Sequence, residues 1–216
     1  MLSTGFAMDR IVVIGGGGHA KVLISVLKKS GYEVTGYTDR QDRGSILGIL
    51  HLGDDVILPE MIRNHGHCKA IIGIGKIDIS DMRVRLQQEL SAIGFDFPVI
   101  ISPRAVVNEE VVLGNGTVVF DGVVVNSGTE LGQGCIINTN STVEHDCRIG
   151  YNAHIAPGVT LSGGVTIGNN CMIGTGANVI QYVSICDCCL IGAGSTVVKD
   201  ITIAGTYVGN PAKRIR

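Results

Sequence analysis

A six-residue repeat in the second half of the chain limits the possible folds more than any other feature. From Ile101 onward, every sixth residue is aliphatic through 18 consecutive hexads that end at residue 208. The first positions are Ile101, Val107, Leu113, Val119, Val125, Leu131, Ile137, Val143, Ile149, Ile155, Leu161, Ile167, Ile173, Val179, Ile185, Ile191, Val197 and Ile203. A fixed hexapeptide period predicts a β-helix, a solenoid of stacked triangular coils. An ordinary β-sandwich is excluded because its loop lengths vary.

The fifth and second hexad positions also have a consistent composition, which predicts where their residues lie in the coil. Fifth positions are mostly small or β-branched, which predicts that they lie beside the interior: Ala105, Val111, Thr117, Val123, Thr129, Cys135, Ser141, Cys147 and Ala153. Second positions are often glycine, as at Gly114 and Gly132, and we expect them at corners that need turn dihedrals. The chain has 31 Gly and no Trp, which suits glycine corners around a narrow aliphatic core.

Residues 9–100 follow a different pattern, in which short apolar runs alternate with amphipathic segments. Strands are predicted at Ile11–Ile14, Val34–Thr38, Ala70–Ile74 and Phe97–Ile101. Helices are predicted at His19–Lys29 and at Ile79–Ser91, the latter with Met82, Leu86 and Leu90 on one face. We therefore expect a small Rossmann-like α/β domain at 9–100, a β-helix at 101–208 and a tail at 209–216.

Charge and cysteine content narrow the classes of partner. Lys and Arg number 17 against 19 Asp and Glu, so no broad basic face for nucleic acid or an anionic membrane is expected. No apolar run is long enough to predict a membrane span.

Seven cysteines are an odd number, and Met1–Ala7 lacks the features of a signal peptide. These features predict a cytoplasmic protein with free thiols.

Four consecutive glycines, Gly15–Gly18, follow the first predicted strand and precede a helix. With His19 and Ala20 they fit the pattern G-x-G-x-x-A, and Asp39 lies 24 residues past Gly15. This combination is typical of a dinucleotide-binding turn. About 90 residues are too few for two complete mononucleotide-binding halves, which argues against a full dinucleotide-binding domain. A nicotinamide enzyme and a bare strand-to-helix turn remain as alternatives.

His145 and Asp146 are two adjacent ionisable residues within the hexapeptide repeat. His145 occupies a third hexad position, which is predicted to point outward. An imidazole suits general-base chemistry near neutral pH, and a neighbouring carboxylate can fix its tautomer. A solvated surface histidine beside a solvated aspartate is the alternative.

Together these motifs resemble two known families of protein, one through the hexad array and one through nearly the whole chain. The hexad array resembles the left-handed β-helix of hexapeptide-repeat acyltransferases. Nearly the whole chain resembles the sialic-acid O-acetyltransferase-like sugar acyltransferases, on its Gly-Gly-His turn, the segment 138–147 and the tail 209–213. That family includes bacterial N-acetyltransferases of nucleotide-linked 4-amino sugars, as in bacillosamine and perosamine pathways. The resemblance implies three hexads per coil, about six coils, a homotrimer, acetyl-CoA as co-substrate in a cleft between β-helices, and no metal.

The resemblance also implies roles for individual residues. His145 is the expected base and Asp146, where relatives often have Glu, its support. Acetyl-CoA is expected to meet His154, Gly163, Thr175, Ala193 and Lys213, with the Gly163 amide holding the oxyanion one coil from His145. The nucleotide sugar is expected to meet Gly17, His19, Asp39, Arg40, Gly75, Lys76 and Asn138. Arg40 stands where some relatives have a second acid, and Lys76 where some have Asn.

The leading hypothesis is acetyl-CoA-dependent N-acetylation of a UDP-, GDP- or dTDP-linked 4-amino sugar in bacterial surface glycan synthesis. Transfer would be direct, because no Ser or Cys stands in a nucleophile motif.

An O-acetyltransferase acting on sialic acid or a related sugar is the nearest alternative. A metalloenzyme like the γ-type carbonic anhydrases would need a further histidine beside His145 and His154. A purely structural β-helix is the remaining possibility. Cys186–Cys189 is interpreted as packing, like the fifth-position cysteines, rather than as a metal site.

Overall fold

The computed structural model describes residues 9–216, and the chain divides into two compact units. The first unit extends to Gly75 and includes Glu89–Pro98. The second unit comprises Lys76–Gln88 and Val99–Arg216. This division differs from the expected boundary at residue 100, because the segment Lys76–Gln88 groups with the β-helix rather than with the α/β domain.

The first unit contains a five-stranded parallel sheet with the strand order β3-β2-β1-β4-β5. Its strands are Arg10–Ile14 (β1), Glu33–Thr38 (β2), His51–Gly53 (β3), Cys68–Ile72 (β4) and Phe95–Asp96 (β5). Its helical segments are Gly18–Lys29 (α1), a 3₁₀ turn at Asp55–Ile57 and Leu58–His65 (α2). The α/β prediction is therefore confirmed, although the sequence pattern missed the elements between His51 and His65.

Two further predictions near the end of this region were wrong in detail. The expected strand Phe97–Ile101 does not form, because Phe95–Asp96 pairs with β4 whereas Ile100–Ile101 (β6) is the first strand of the β-helix. The helix Met82–Ala92 (α3) buries Val84 and Leu90 together with the polar residues Arg83 and Gln87, and it leaves Met82 exposed. Gln87 is buried because its Nε2 donates to the carbonyl of Asn115, 3.1 Å away.

The second unit is a left-handed β-helix of about six coils, as predicted. One sheet contains β6, Val118–Val119, Ile136–Ile137, His154–Ile155, Met172–Ile173, Cys189–Ile191 and Gly205–Val208, with Lys213–Arg214 added antiparallel. A second contains Val106–Val107, Val124–Val125, Thr142–Val143, Thr160–Leu161, Asn178–Val179 and Thr196–Val197. The third contains Val112–Leu113, Glu130–Leu131, Arg148–Ile149, Thr166–Ile167 and Ser184–Ile185. Thr142 pairs with Thr160, 18 residues later, which shows that three hexads make one coil.

The hexad positions have the expected interior but different corners. Most first-position and fifth-position side chains form one continuous apolar core, although Ile101, in the first hexad, is exposed. The left-handed backbone lies at the fourth position, for example at Gly116 and Asp146, so the expectation that second-position glycines supply turn dihedrals was wrong. A second-position glycine is needed for space instead, because a Cβ on Gly132 would lie 2.6 Å from the backbone nitrogen of Tyr151 on the next coil.

The repeat ends before its last hexad. Ile203 is exposed, and Ile201 instead forms the bridge to Ile185. Ile191 pairs with Tyr207, 16 residues later, so the final coil is shorter than the others. Among residues 9–216, no helix is long and apolar enough to cross a bilayer.

Candidate active site

His145 and Asp146 lie directly after the strand Thr142–Val143, at the third and fourth positions of their hexad. The Nδ1 atom of His145 donates to Oδ2 of Asp146, 2.8 Å away. Both side chains are more than half exposed. In the neutral ring this bond places the hydrogen on Nδ1 and leaves Nε2 as the free nitrogen, which is the arrangement that a general base requires.

Gly163 lies against the Nε2 side of this imidazole, one coil further along. A Cβ on Gly163 would be 2.5 Å from Nε2 of His145 and 2.7 Å from Cε1. The backbone of Gly163 is not left-handed, so glycine is required here for space alone. The amide of the next residue, Gly164, donates to the carbonyl of His145 at 2.9 Å and holds the two coils together.

The amide of Gly163 has a special position in the coil. Among residues 9–216, third-position amides such as those of Gly163, Thr175 and Ala193 donate to no backbone carbonyl. Side-chain oxygens capture this kind of amide at Tyr151 and Asn169, but not at Gly163, Thr175 or Ala193. Gly163 therefore presents a backbone N–H close to Nε2 of His145, which is the donor that a developing oxyanion needs.

Thr175 and Ala193 lie one coil apart on another edge of the β-helix. Both are exposed, and the amide of Gly194 donates to the carbonyl of Thr175 at 2.9 Å. Lys213 lies in the terminal strand Lys213–Arg214, and its side chain is exposed. These three residues offer two backbone amides and one ammonium group to a ligand.

Three predicted site residues, Lys76, Asn138 and His154, meet in one buried network. Nδ1 of His154 donates to the carbonyl of Lys76 at 2.6 Å, and Nε2 accepts from Nδ2 of Asn138 at 3.1 Å. Burial lowers the pKa of His154 to about 4, although its bond to Lys76 acts in the opposite direction. Both ring nitrogens are therefore used within the chain, and the imidazole is neutral near pH 7.

The other polar atoms of this network also have partners. Oδ1 of Asn138 accepts from the amide of Thr139 at 2.8 Å. The Lys76 ammonium is buried and donates to the carbonyl of Ser80 at 2.8 Å. Burial lowers the pKa of Lys76 as well. From the sequence, His154 was expected to meet acetyl-CoA, and Lys76 and Asn138 the nucleotide sugar. The sequence did not reveal that these residues form hydrogen bonds with one another.

This network predicts a specific acid sensitivity. Because the pKa of His154 falls from 6.5 to about 4 on folding, the unfolded chain binds more protons between these values. The contribution of His154 to stability should therefore be complete about one pH unit above 6.5 and should fall as the pH drops toward 4, by about 1.5 kcal/mol between pH 6.5 and 5. Urea unfolding at both pH values should show this loss in the wild type.

The control is His154→Gln, which keeps a hydrogen-bonding side chain without a titratable ring. Its urea midpoint should depend much less on pH over the same range. An equal pH dependence in the variant and the wild type would assign the acid sensitivity to other groups.

In the first unit, the glycine turn connects β1 to α1. Gly15 is left-handed with φ +103°, and a Cβ on Gly16 would lie 2.4 Å from the Tyr37 ring. At Gly17 and Gly18, a Cβ would meet nothing within 4 Å. The turn faces a cavity of 270 Å³ lined by Gly16, Gly17, Gly18, Lys21, Arg43, Ser45 and Ile46. The last two glycines thus leave open space at a helix N-terminus, where an anion is favoured.

Asp39 stabilises the glycine turn by accepting a hydrogen bond from its backbone. Its Oδ2 accepts from the amide of Gly16 at 2.9 Å and from Nε of Arg43 at 3.2 Å. Burial alone raises its pKa, but the hydrogen bonds from the Gln41 and Gly16 amides and from Arg43 hold the pKa below its usual value. The predicted Arg40 is exposed and does not line the cavity, whereas Arg43 and Lys21, which the sequence analysis missed, do.

The remaining predicted residues of this unit lie side by side. His19 is in the first turn of α1, and a Cβ on Gly75 would lie 3.3 Å from its Cβ. Gly75 therefore leaves room for the imidazole of His19 beside the glycine turn.

The cysteines are free thiols. Sγ of Cys186 lies 3.6 Å from Sγ of Cys189, and the fifth-position cysteines are buried in the β-helix core. Within the described part of the chain, no group of three or more His, Cys, Asp or Glu side chains is arranged to hold a metal ion.

A hexapeptide β-helix that presents an imidazole–carboxylate pair beside an unpaired glycine amide is the architecture of a hexapeptide-repeat acyltransferase. Three family models match the chain: the PglD N-terminal domain at residues 10–89, the bacterial transferase hexapeptide at 128–163 and the hexapeptide repeat of succinyl-transferase at 164–199. The chain belongs to the family of sugar acyltransferases that join a PglD-type N-terminal domain to a hexapeptide-repeat β-helix.

Solved structures extend this similarity over both units. PerB from Caulobacter crescentus, crystallised with CoA and GDP-perosamine, is 38% identical, with a TM-score of 0.89 over 96% of this chain and 98% of that one. The acetyltransferase domain of PglB from Neisseria gonorrhoeae is 34% identical, with a TM-score of 0.88 over 96% and 100%. WeeI from Acinetobacter baumannii is 26% identical, with a TM-score of 0.83 over 97% and 100%. No curated protein sequence matches the chain significantly.

Proposed function

We propose that this enzyme is an acetyl-CoA-dependent N-acetyltransferase that acts on a nucleotide-linked 4-amino sugar in bacterial surface glycan synthesis. The observation that carries the proposal is the stacking of Gly163 against Nε2 of His145, with Asp146 on the opposite nitrogen. It is supported by the 38% identity to PerB, whose crystals contain CoA and GDP-perosamine. Variants of the perosamine N-acetyltransferase with a histidine replaced have also been crystallised with both ligands.

The proposed reaction is direct transfer without an acyl-enzyme. The amine nitrogen of the sugar attacks the thioester carbonyl carbon while Nε2 of His145 removes its proton. The negative charge that develops on the carbonyl oxygen is stabilised by the N–H of Gly163. When the C–S bond breaks, the imidazolium returns the proton to the thiolate of CoA. Asp146 stabilises the imidazolium through Nδ1, as in other carboxylate–histidine pairs.

The donor is proposed to use the exposed edge of the β-helix. The amides of Thr175 and Ala193 are available to carbonyl groups of the pantetheine arm, and Lys213 to a phosphate. His154 is proposed to form part of the acyl-binding wall through its ring surface, because both of its nitrogens are occupied. Asn138 would then hold that ring in place near the acceptor sugar. We further propose a homotrimer, with the donor bound between neighbouring β-helices.

The nucleotide part of the acceptor is proposed to bind in the first unit. The glycine turn at Gly17 and Gly18 has room for a diphosphate, and Lys21 and Arg43 supply positive charge to the same cavity. Asp39 holds the turn in shape. His19, Arg40 and Gly75 are proposed to complete the nucleotide-binding surface, and Lys76 to shape the segment that follows it. A cytoplasmic location is consistent with the seven free thiols.

One assay tests the reaction class. Purified enzyme and acetyl-CoA are incubated with UDP-, GDP- and dTDP-linked 4-amino sugars and with free sialic acid, and thiol release is followed together with the mass of the product. We expect a mass gain of one acetyl group on at least one amino sugar. Acetylation of sialic acid alone would establish the O-acetyltransferase instead, and no acyl transfer to any acceptor would contradict the proposal.

A further inference from the structure

Tyr182 has a backbone conformation that its residue type disfavours. It occupies a fourth hexad position and has φ +60°. Most fourth positions in this chain are glycine, asparagine or aspartate, which tolerate the left-handed region best. A bulky aromatic residue there lowers stability, and such strain is often retained where a side chain has a function.

The side chain of Tyr182 is also unusually placed. The residue is 74% exposed, and its hydroxyl makes no hydrogen bond within residues 9–216. The ring lies across Gly164 on the preceding coil, where an added Cβ would be 2.5 Å from Cδ1 and 2.7 Å from Cε1. An exposed aromatic ring therefore lies over the glycine that follows the proposed oxyanion donor.

Two rings thus enclose the Gly163–Gly164 pair from successive coils. The imidazole of His145 lies against Gly163 from the preceding coil, and the phenol of Tyr182 lies over Gly164 from the following coil. Backbone hydrogen bonds fix this order, because Gly164 donates to His145 at 2.9 Å and Tyr182 donates to Gly163 at 3.0 Å. His145, the Gly163 amide and Tyr182 therefore follow one another along the edge of the β-helix.

We propose that Tyr182 contacts the acyl-thioester end of the donor and determines donor affinity. This inference rests on the proposed function, in which the carbonyl oxygen lies at the Gly163 amide and the attacking nitrogen at His145. The methyl group and the sulfur then occupy the other two positions in the plane of the thioester, and we place the sulfur toward the coil of Tyr182, from which it leaves the tetrahedral intermediate as the thiolate. An exposed aromatic face provides apolar contact for the methylene groups next to that sulfur.

The test separates this role from a structural one by measuring stability and donor affinity together. Tyr182→Asn suits the left-handed backbone, so its melting temperature should rise, whereas its KM for acetyl-CoA and its Kd for CoA should increase about tenfold. The KM for the amino sugar should not change. Tyr182→Phe retains the ring and should keep the KM for acetyl-CoA within about twofold of wild type.

Glu110→Asn is the matched control, because Glu110 has the same fourth position and φ +60° on another coil. It should raise the melting temperature without altering KM or Kd. If Tyr182→Asn keeps the wild-type Kd for CoA by calorimetry, the inference about Tyr182 is wrong. If the wild type binds CoA but acetylates no sugar, the proposed function fails while the Kd comparison still decides the role of Tyr182. If the wild type binds no CoA, both are overturned.

Discussion

Replacing His145 with alanine is expected to lower kcat about 10²- to 10⁴-fold. Without the imidazole, no group takes the proton as the amine attacks, and none returns it to the departing thiolate. The ring is more than half exposed, so the change should leave the fold and the melting temperature nearly intact. Initial rates of thiol release at saturating concentrations of both substrates measure the effect.

The chain supplies a matched control for this variant. His67 also pairs with a carboxylate, with Nδ1 lying 3.3 Å from Oδ2 of Asp96, and it too is on the surface. His67→Ala should retain wild-type kcat. The Kd of CoA should be unchanged in His145→Ala, because the proposed role of the imidazole is proton transfer. Turnover near the wild-type rate in this variant would remove His145 from the mechanism.

Gly163→Ala is expected to lower kcat at least about 100-fold, because the added methyl group displaces the imidazole proposed as the general base while the backbone N–H is retained. The added methyl group would lie 2.5 Å from Nε2 of His145, so the imidazole must move away from the oxyanion position. Because Gly163 does not have a left-handed backbone, the substitution introduces little conformational strain. Single-turnover rates should therefore fall while the melting temperature changes little.

Gly158→Ala provides the opposite pattern of effects. Gly158 has φ +67°, and a Cβ there meets nothing within 4 Å. Alanine should cost about 1 kcal/mol of stability through its left-handed backbone and leave kcat unchanged. The hypothesis of steric displacement is refuted if Gly163→Ala retains kcat within about twofold of wild type.

Contacts in the candidate site could be predicted from the sequence where the 18-residue repeat determines which residues lie on top of one another in neighbouring coils. His145 and Gly163 are separated by one coil, so a regular repeat must stack them, and the structure places an added Gly163 Cβ 2.5 Å from the ring. Asp146 follows His145 directly and needs only a local turn to reach Nδ1. These contacts follow from the period, since the strand pairs on this part of the β-helix repeat it, as Thr142 with Thr160 does.

Local corner geometry was less predictable, because hydrophobic periodicity reports which side chains face inward and not which backbone is left-handed. Glycine serves for conformation at Gly164 and for space at Gly132, and the two uses look alike in a sequence. The burial of Gln87 could not be read from the pattern either, because a hydrogen bond to Asn115 compensates for it.

The basic lining of the glycine-turn cavity was also missed. Arg43 lies four residues past Asp39 in an irregular loop, and its guanidinium reaches back to that carboxylate. No periodicity predicts the path of such a loop. The sequence analysis chose Arg40, which follows Asp39 directly, but Arg40 is exposed and is not among the residues that line this cavity.

The unpaired third-position amides give the β-helix a property that a twisted open sheet lacks. Such amides occur at Gly163, Thr175 and Ala193, whereas Pro157 at the same hexad position has no N–H and the amides of Tyr151 and Asn169 are bonded to side chains. Neighbouring coils are separated by the parallel-strand spacing of about 4.8 Å. The free amides of Thr175 and Ala193, one coil apart, therefore lie at that spacing on one edge, and Gly163 beside His145 has a further free amide on another edge. An extended ligand that used the amides of both Thr175 and Ala193 would need two acceptor groups about 4.8 Å apart, whatever the side chains at these two positions are.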